Sequence, residues 1–438
     1  MLIKRWIALS MLGICMTSLA LAMGLAWFYR NYEVPASATR LVRTLTLQFI
    51  AHPWREMILF VIGVILVGYA FWRLSLSILR PLLAQTPNGH GLAQIVAEHR
   101  FGVVRPSLKI VAIGGGTGLS ALLRGIKQHD VGITAIVTVA DDGGSTGRIR
   151  RDFDIPAPGD IRNCIVALAD NESMVGRLFQ YRFDETSPEL AGHSFGNLFI
   201  TALAQVTGSF EQAVIESAKV LAVRGRVLPS TLENVTLCAE LVDGTIVYGE
   251  STISSNKPPI KRIFLQPDSP DGYEPAMAAI VNADLIVLGP GSLYTSVLPN
   301  LLVDGITQAI RASGGRVVYA CNVATQPGET DNFDAAEHIE AVIDYLGEGV
   351  LNCALVNNNR AVVDAITPEI PVAAVTDENL GSVADRVEII ARDVVNDANP
   401  LRHDPDKLAV ALLEIARQPK TPVITRPTPV DDLMAAGA

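Results

Sequence analysis

The sequence lacks a basic surplus, a cysteine framework and a lysine-bearing phosphate loop, and each absence closes a class of function. Lys and Arg total 35 against 45 Asp and Glu, a net charge of −10. Broad nucleic-acid binding needs a basic footprint, so no nucleic acid is expected, and an anionic ligand must be held by a few local donors. The five cysteines (Cys15, Cys164, Cys238, Cys321 and Cys353) are odd in number, and no pair has zinc-ligand or redox spacing. Buried, reduced thiols are the expectation. No glycine-rich stretch runs into the Lys-Ser/Thr of a Walker loop. Charged residues make up only 18% of the chain and hydrophobic ones 49%, and that excess has a definite location.

From Trp6 to Tyr29 no charged residue interrupts the chain. Such a run exceeds the roughly 20 residues that cross a hydrocarbon core of about 30 Å. Lys4 and Arg5 precede it, and Trp27, Phe28, Tyr29 and Arg30 form an interfacial belt after it. A cleaved signal peptide shares the basic flank, but this run is long for one and no small-residue cleavage site precedes Arg30. A second apolar run, Met57–Trp72, is shorter and is flanked by Arg55 and Arg73, whose stems can snorkel; a buried core helix is its alternative. Two spans, about 6–29 and 57–72, predict a transmembrane helical hairpin within residues 1–80, with both termini on one side of the cell membrane. The flanking charges do not choose the side. Lys4, Arg5, Arg73 and Arg80 at the outer ends balance Arg30, Arg40, Arg43 and Arg55 around the connecting loop. The large domain is placed in the cytoplasm because of its apparent ligand and its unpaired cysteines.

Residues 81–106 read as a linker containing the breaker Thr86–Gly91, TPNGHG. In the domain 107–417, short apolar strands alternate with helical runs, the pattern of a mostly parallel α/β sheet with helices on both faces. Strands are expected at Leu108–Ile113, Thr134–Val139, Asp284–Leu288, Arg316–Ala320 and Cys353–Val356. Helices are expected at Ser120–Lys127, Asn197–Thr207, Glu211–Leu221, Ala335–Leu346 and Asp406–Arg417. Val235–Ser254 interrupts the alternation with two β-rich runs around Asp243-Gly244, a small antiparallel insertion. The Pro/Thr-rich tail 418–438 reads as disordered.

Candidate chemistry lies in the loops. Gly114-Gly115-Gly116-Thr117-Gly118 follows a strand and opens a helix, where peptide N–H groups and the helix dipole favour an anion. It is an imperfect dinucleotide fingerprint, because Leu119 stands where that pattern needs glycine. A nicotinamide oxidoreductase would rest on this loop alone. Gly289, Gly291 and Ser292 repeat the strand–loop–helix arrangement, and a second anion cradle on one sheet suggests a ligand with two ends. Asp141 and Asp142 follow another strand and suit a substrate hydroxyl or a divalent ion such as Mg2+. Arg162 and Asn163 are candidates for a second group, beyond the helix cap expected of Asp160. Gly192–Gly196 fits G-x-S-x-G, but polar, Pro-containing sequence precedes it where a hydrolase needs a buried strand. Ser194 and Asn197 are therefore read as ligand or cap donors.

Taken together, GGGTGLS, TVADDGGSTGR, PGDIRNC, GHSFGNLF, LAVRGRVLP, GPGSLYTSVLPNLL and CNVATQPGETD occur in this order. In this the chain closely resembles the gluconeogenesis-factor (YvcK-like) branch of the CofD-like superfamily, from about Lys109 to Arg417. The resemblance implies a Rossmann-like domain whose glycine loops hold a nucleotide diphosphate. It further implies binding of a UDP-sugar, chiefly UDP-N-acetylglucosamine, a link to cell shape and gluconeogenic growth, and protein partners or homo-oligomers. Arg402, in Arg402-His403-Asp404, matches a C-terminal motif and is expected over a phosphate or uracil. The superfamily's 2-phospho-L-lactate transferases imply the alternative: transfer of a phospholactyl group from a guanylylated donor to a deazaflavin with a divalent metal, here at Asp141 and Asp142. Two departures stand out. The hairpin lies outside the family core, and the segment after Asn357-Asn358 lacks the tyrosine-bearing stretch such proteins carry there.

Overall fold

The computed structural model describes residues 108–169, 174–184, 186, 189–255, 258–359, 372, 381 and 383–418, with a few isolated positions before residue 62. The expected hairpin, the linker, the tail from 419 and most of the stretch after Asn359 lie outside the described residues. Among the described residues no helix is long and apolar enough to cross a membrane. The chain divides into two compact units, Met1–Val103 and Val104–Ala438, and the second contains the main sheet.

Strand β1 (Lys109–Gly114) leads through helix α1 (Gly116–Ile126) to β2 (Gly132–Val137). Helices α2 (Gly144–Phe153), α3 (Pro158–Leu168), α4 (Met174–Gln180), α5 (Phe195–Thr207) and α6 (Phe210–Val220) precede β3 (Arg226–Pro229). Next come β4 (Thr236–Leu241), β5 (Ile246–Tyr248), the short helix α7 (Glu250–Ile253), β6 (Ile260–Gln266) and α8 (Glu274–Val281). The chain then re-enters the main sheet at β7 (Leu285–Leu288). A π-helical turn (Leu293–Val297), α9 (Leu298–Leu301) and α10 (Ile306–Ala312) lead to β8 (Arg316–Ala320), followed by α11 (Ala335–Leu346) and β9 (Cys353–Asn357). Strand β10 (Glu388–Arg392), the hairpin β11 (Val395–Asn396) with β12 (Asn399–His403), and α12 (Pro405–Arg417) complete the unit.

Seven strands form one sheet in the order β10-β9-β8-β7-β1-β2-β3, every pair parallel. Parallel strands covered on both faces read as continuous apolar runs, and β7, β8 and β9 are buried at every position. The small sheet β5-β4-β6 is antiparallel. The expected α/β architecture with an antiparallel insertion is thus present. The insertion has a third strand, β6, and its sequence after Tyr248 turns into helix α7 where a strand was expected to continue. The reason is local: Gly249 sits at φ +89°, a left-handed conformation that breaks the extended run and starts the helix.

The sheet sets the position of the site. Strand β1 pairs with β2 on one side and with β7, far along the chain, on the other. That reversal of direction is the topological switch point, where open α/β sheets leave a crevice beyond the strand ends. Helix α12 packs on α1 so closely that a Cβ on Gly125 would overlap the Pro405 carbonyl. This contact brings β12 beside the start of α1.

Candidate functional site

The loops after β1 and β7 meet. A Cβ on Gly118 would lie 2.6 Å from the Pro290 carbonyl oxygen, and one on Gly291 would lie 3.1 Å from that of Gly115. Only glycine permits this approach of two backbones. Between the corners and β12 opens a cleft of about 240 Å³. Gly116, Thr117 and Gly118 line it from one corner, and Pro290, Gly291, Ser292 and Ser296 from the other. Arg402 bridges to the first corner, donating from Nη1 to Thr117 Oγ1 at 2.7 Å. Because the first turn of an α-helix leaves N–H groups without intrahelical acceptors, the start of α1 presents donors to an anion.

Two cleft residues were not foreseen from the sequence. Asn322, after β8, accepts from the Gly291 N–H at 3.4 Å. Gln326 donates from Nε2 to Ser292 Oγ at 2.7 Å, while its Oε1 is buried without a hydrogen-bond partner in the protein. A buried, unsatisfied acceptor beside a cleft is suited to a ligand donor. Both lie in the stretch CNVATQPGETD, but asparagine and glutamine carry no pattern that marks them as ligand contacts. Behind them, His403 donates from Nε2 to the Cys321 carbonyl at 3.1 Å, and burial pushes its imidazole down to about 4.

An acidic group adjoins the first corner. Asp160, in the first turn of α3, lies where a Cβ on Gly115 would come within 2.5 Å of its Oδ2, and it accepts from the Gly116 N–H. Burial, then the charge of Asp141, pushes its carboxyl up to about 6. Glu250, delivered by α7, shares a hydrogen bond with Asp141; burial first and Asp141 second push it up to about 9. Glu329 is buried and accepts from Thr295 Oγ1 at 3.2 Å and Ser254 Oγ at 3.0 Å. Burial raises its pKa too. Thr295 adjoins Ser296 of the cleft, so the acidic group and the cleft share a border.

Asp141 and Asp142 do not face one point. Asp141 Oδ1 accepts from the Gly143 N–H at 2.8 Å, whereas Asp142 Oδ1 accepts from the Ser251 N–H at 2.9 Å. Among the described residues, no group of three or more His, Cys, Asp or Glu is arranged to hold a metal ion.

Ser194 and Asn197 stand apart from the cleft lining. Ser194 is fully buried; it accepts from Arg162 Nη1 and donates to the Phe179 carbonyl at 3.3 Å. Asn197 donates from Nδ2 to Ser145 Oγ at 3.3 Å and Thr146 Oγ1 at 3.4 Å, joining the starts of α5 and α2. Both side chains bond inside the core and neither lines the cleft, while Asn197 Oδ1 is buried without a hydrogen-bond partner in the protein. The Gly192–Gly196 turn leads directly into α5 with no β-strand before it, which removes the hydrolase elbow. Arg162 also donates to Asn163 Oδ1 at 2.7 Å, so this pair lies together at the start of α3. The nearby basic residues hold backbone: Arg148 donates to the Ala191 carbonyl at 2.6 Å and Arg150 to that of Asp141 at 3.0 Å. The four cysteines among the described residues are buried and free.

The sequence and the fold are shared with known proteins. The family model described as 2-phospho-L-lactate transferase CofD matches residues 110–395. The gluconeogenesis factor of Bacillus subtilis is 47% identical over 314 residues, covering 71% of this chain and 98% of that protein. The gluconeogenesis factor of Halalkalibacterium halodurans is 46% identical, covering 70% and 95%. The putative gluconeogenesis factor of Nostoc sp. is 42% identical over 419 residues, 94% of this chain and 90% of its own, so its match reaches into the first hundred residues. A crystal structure of a Bacillus halodurans protein superposes with a TM-score of 0.66 at 46% identity, covering 70% of this chain and 99% of its own.

Proposed function

This chain belongs to the CofD family, within its gluconeogenesis-factor (YvcK-like) branch, and on that premise we propose that it is a membrane-anchored, cytoplasm-facing regulatory protein that binds a UDP-sugar. UDP-N-acetylglucosamine is the first candidate, and the reading links its level to cell shape, cell-wall synthesis and central carbon metabolism through protein partners. One observation supports the ligand class: two glycine corners at the switch point line a single cleft, and the start of α1 opens into it. A diphosphate spans such a pair, and Arg402 supplies the countercharge that the acidic chain otherwise lacks. The side-chain amides of Asn322 and Gln326 suit a base or sugar edge. Titration calorimetry of the full-length chain with UDP-N-acetylglucosamine tests this; no heat at millimolar ligand removes it.

The anchor is a separate part of the reading. Its support is the two apolar runs, about 6–29 and 57–72, together with the Nostoc match that extends over most of the same region. Fractionation that finds the intact chain in the soluble fraction refutes it. A second reading, phospholactyl transfer from a nucleotide donor to a deazaflavin, draws on the acidic group of Asp141, Asp160 and Glu250 beside the first corner. Burial holds the protons of Asp160 and Glu250 to unusually high pH, and either could exchange one with an acceptor hydroxyl. An unaltered deazaflavin after incubation with authentic donor excludes that activity.

A further inference from the structure

Helix α7 has only four residues, too few to be stable alone, so its position is set by the burial of Ile253 and by whatever holds its ends. Both ends are held by carboxylates from elsewhere in the chain. At the start, the Ser251 N–H donates to Asp142 Oδ1 at 2.9 Å across 109 residues of sequence. Gly249, at φ +89°, sits so near that a Cβ there would overlap Asp142 Oδ2. At the other end, Ser254 Oγ donates to Glu329 Oε1 at 3.0 Å, and the same carboxylate accepts from Thr295 Oγ1. Asp142 follows β2, whereas Thr295 and Glu329 follow β7 and β8. The helix therefore reaches from one half of the main sheet to the other, across the switch point.

We infer that α7 is a clamp closing the acidic end of the cleft, and that Asp142 and Glu329 are positioning residues that set it. The clamp presents Glu250 to Asp141 beside the first glycine corner, and it fixes Thr295, the neighbour of cleft residue Ser296, through Glu329. Asp142 acts on the ligand without touching it. Its adjacency to Asp141 in sequence conceals a division of labour: one carboxylate belongs to the site, the other holds the element that completes it. The rest of the insertion is fastened independently. Leu237, Ala239, Leu241 and Ile263 are buried, and Arg150 donates to Asn234 Oδ1 at 2.7 Å. Loss of the Asp142 anchor should therefore free the start of α7, while the buried Ile253 keeps its end near the sheet and the sheet stays docked.

The inference rests on the cleft being the ligand site proposed above, and the test separates the two. Amide hydrogen exchange is measured over residues 249–255 in the full-length chain, as wild type, Asp142→Ala and Asp142→Asn, with and without UDP-N-acetylglucosamine. Asp142→Ala should raise exchange in this segment about tenfold, the loss of roughly one hydrogen bond, and weaken the ligand several-fold. Asp142→Asn keeps an acceptor oxygen and should restore both, an outcome that simple loss of charge at a ligand contact would not produce. Ligand should slow exchange in the same segment of the wild type. Unchanged exchange in Asp142→Ala overturns the clamp. Raised exchange with unchanged affinity overturns its coupling to the cleft. Wild-type protein that binds no UDP-N-acetylglucosamine defeats the ligand reading alone, while the exchange comparison still decides whether Asp142 holds α7.

Discussion

The two ends of the site handle charge in opposite ways. At the cleft, donors come from peptide N–H groups at two glycine corners, with the exposed Arg402 laid across one of them. At the acidic end, Asp141, Asp160, Glu250 and Glu329 come from four separate stretches, and burial first and the charge of Asp141 second make Asp160 and Glu250 hold protons well above the carboxylate range. Backbone donors need only the right turn, so the cleft is a rigid part of the sheet. The carboxyl group needs an inserted helix to assemble, so it is the part of the site that can come apart. A ligand spanning both would present its charged end to the first and its hydroxyl- or amide-bearing end to the second.

That contrast can be broken most severely at a corner. Gly118→Val places side-chain atoms against the Pro290 carbonyl; overpacking of this kind typically lowers stability by about 1–3 kcal/mol. The separated corners should also bind UDP-N-acetylglucosamine about 100-fold more weakly, since two or more charge-assisted hydrogen bonds are lost. Calorimetry and a thermal melt read the two effects apart, and wild-type affinity in this variant would dissociate the corners from the ligand. Arg402→Ala should weaken the ligand about tenfold with little change in melting temperature, because the side chain is exposed. Arg402→Lys should recover only part of that, lacking the planar fork.

The acidic end should show itself through pH. Glu250 keeps its proton to about 9 when folded, above the ordinary glutamate value, because burial and then Asp141 disfavour its charge. Its contribution to stability is therefore intact below the ordinary value and is lost as pH rises through about 9. Melting temperatures from pH 5 to 10 should fall more steeply for the wild type than for Glu250→Gln; equal slopes would remove Glu250 from the acidic group. The smallest effect belongs to His403 behind the cleft, and its sign is reversed. Burial lowers its pKa to about 4, so its contribution is present above the ordinary histidine value and is lost as pH falls through about 4. His403→Gln should flatten the acid limb of the melting curve.

How much of this is legible in sequence differs between the same two ends. Strand β8 and helix α11 are legible to the residue, since long apolar runs and the Asp334–Glu337 capping box mark their limits. The glycine corners are legible because each lies within one strand–loop–helix segment. Glu250 is not: it sits in a β-rich run, and no local pattern ties it to Asp141, more than a hundred positions earlier. Ser194 and Asn197 resemble ligand contacts because polar residues at a helix start usually are donors, yet their partners prove to be Arg162, Ser145 and Thr146.

What the sequence determined alone was whatever depends on neighbours along the chain: the apolar periods of the sheet, the two turns that only glycine can make, and the uncharged runs before residue 80. Tertiary structure decided which corners meet, which of two adjacent aspartates bonds to Glu250, and which carboxyls are buried together. The physical reason is range. Backbone geometry and burial periodicity act within a few residues, whereas charge and hydrogen-bond pairing depend on distance in space, which only the strand order of the closed sheet sets.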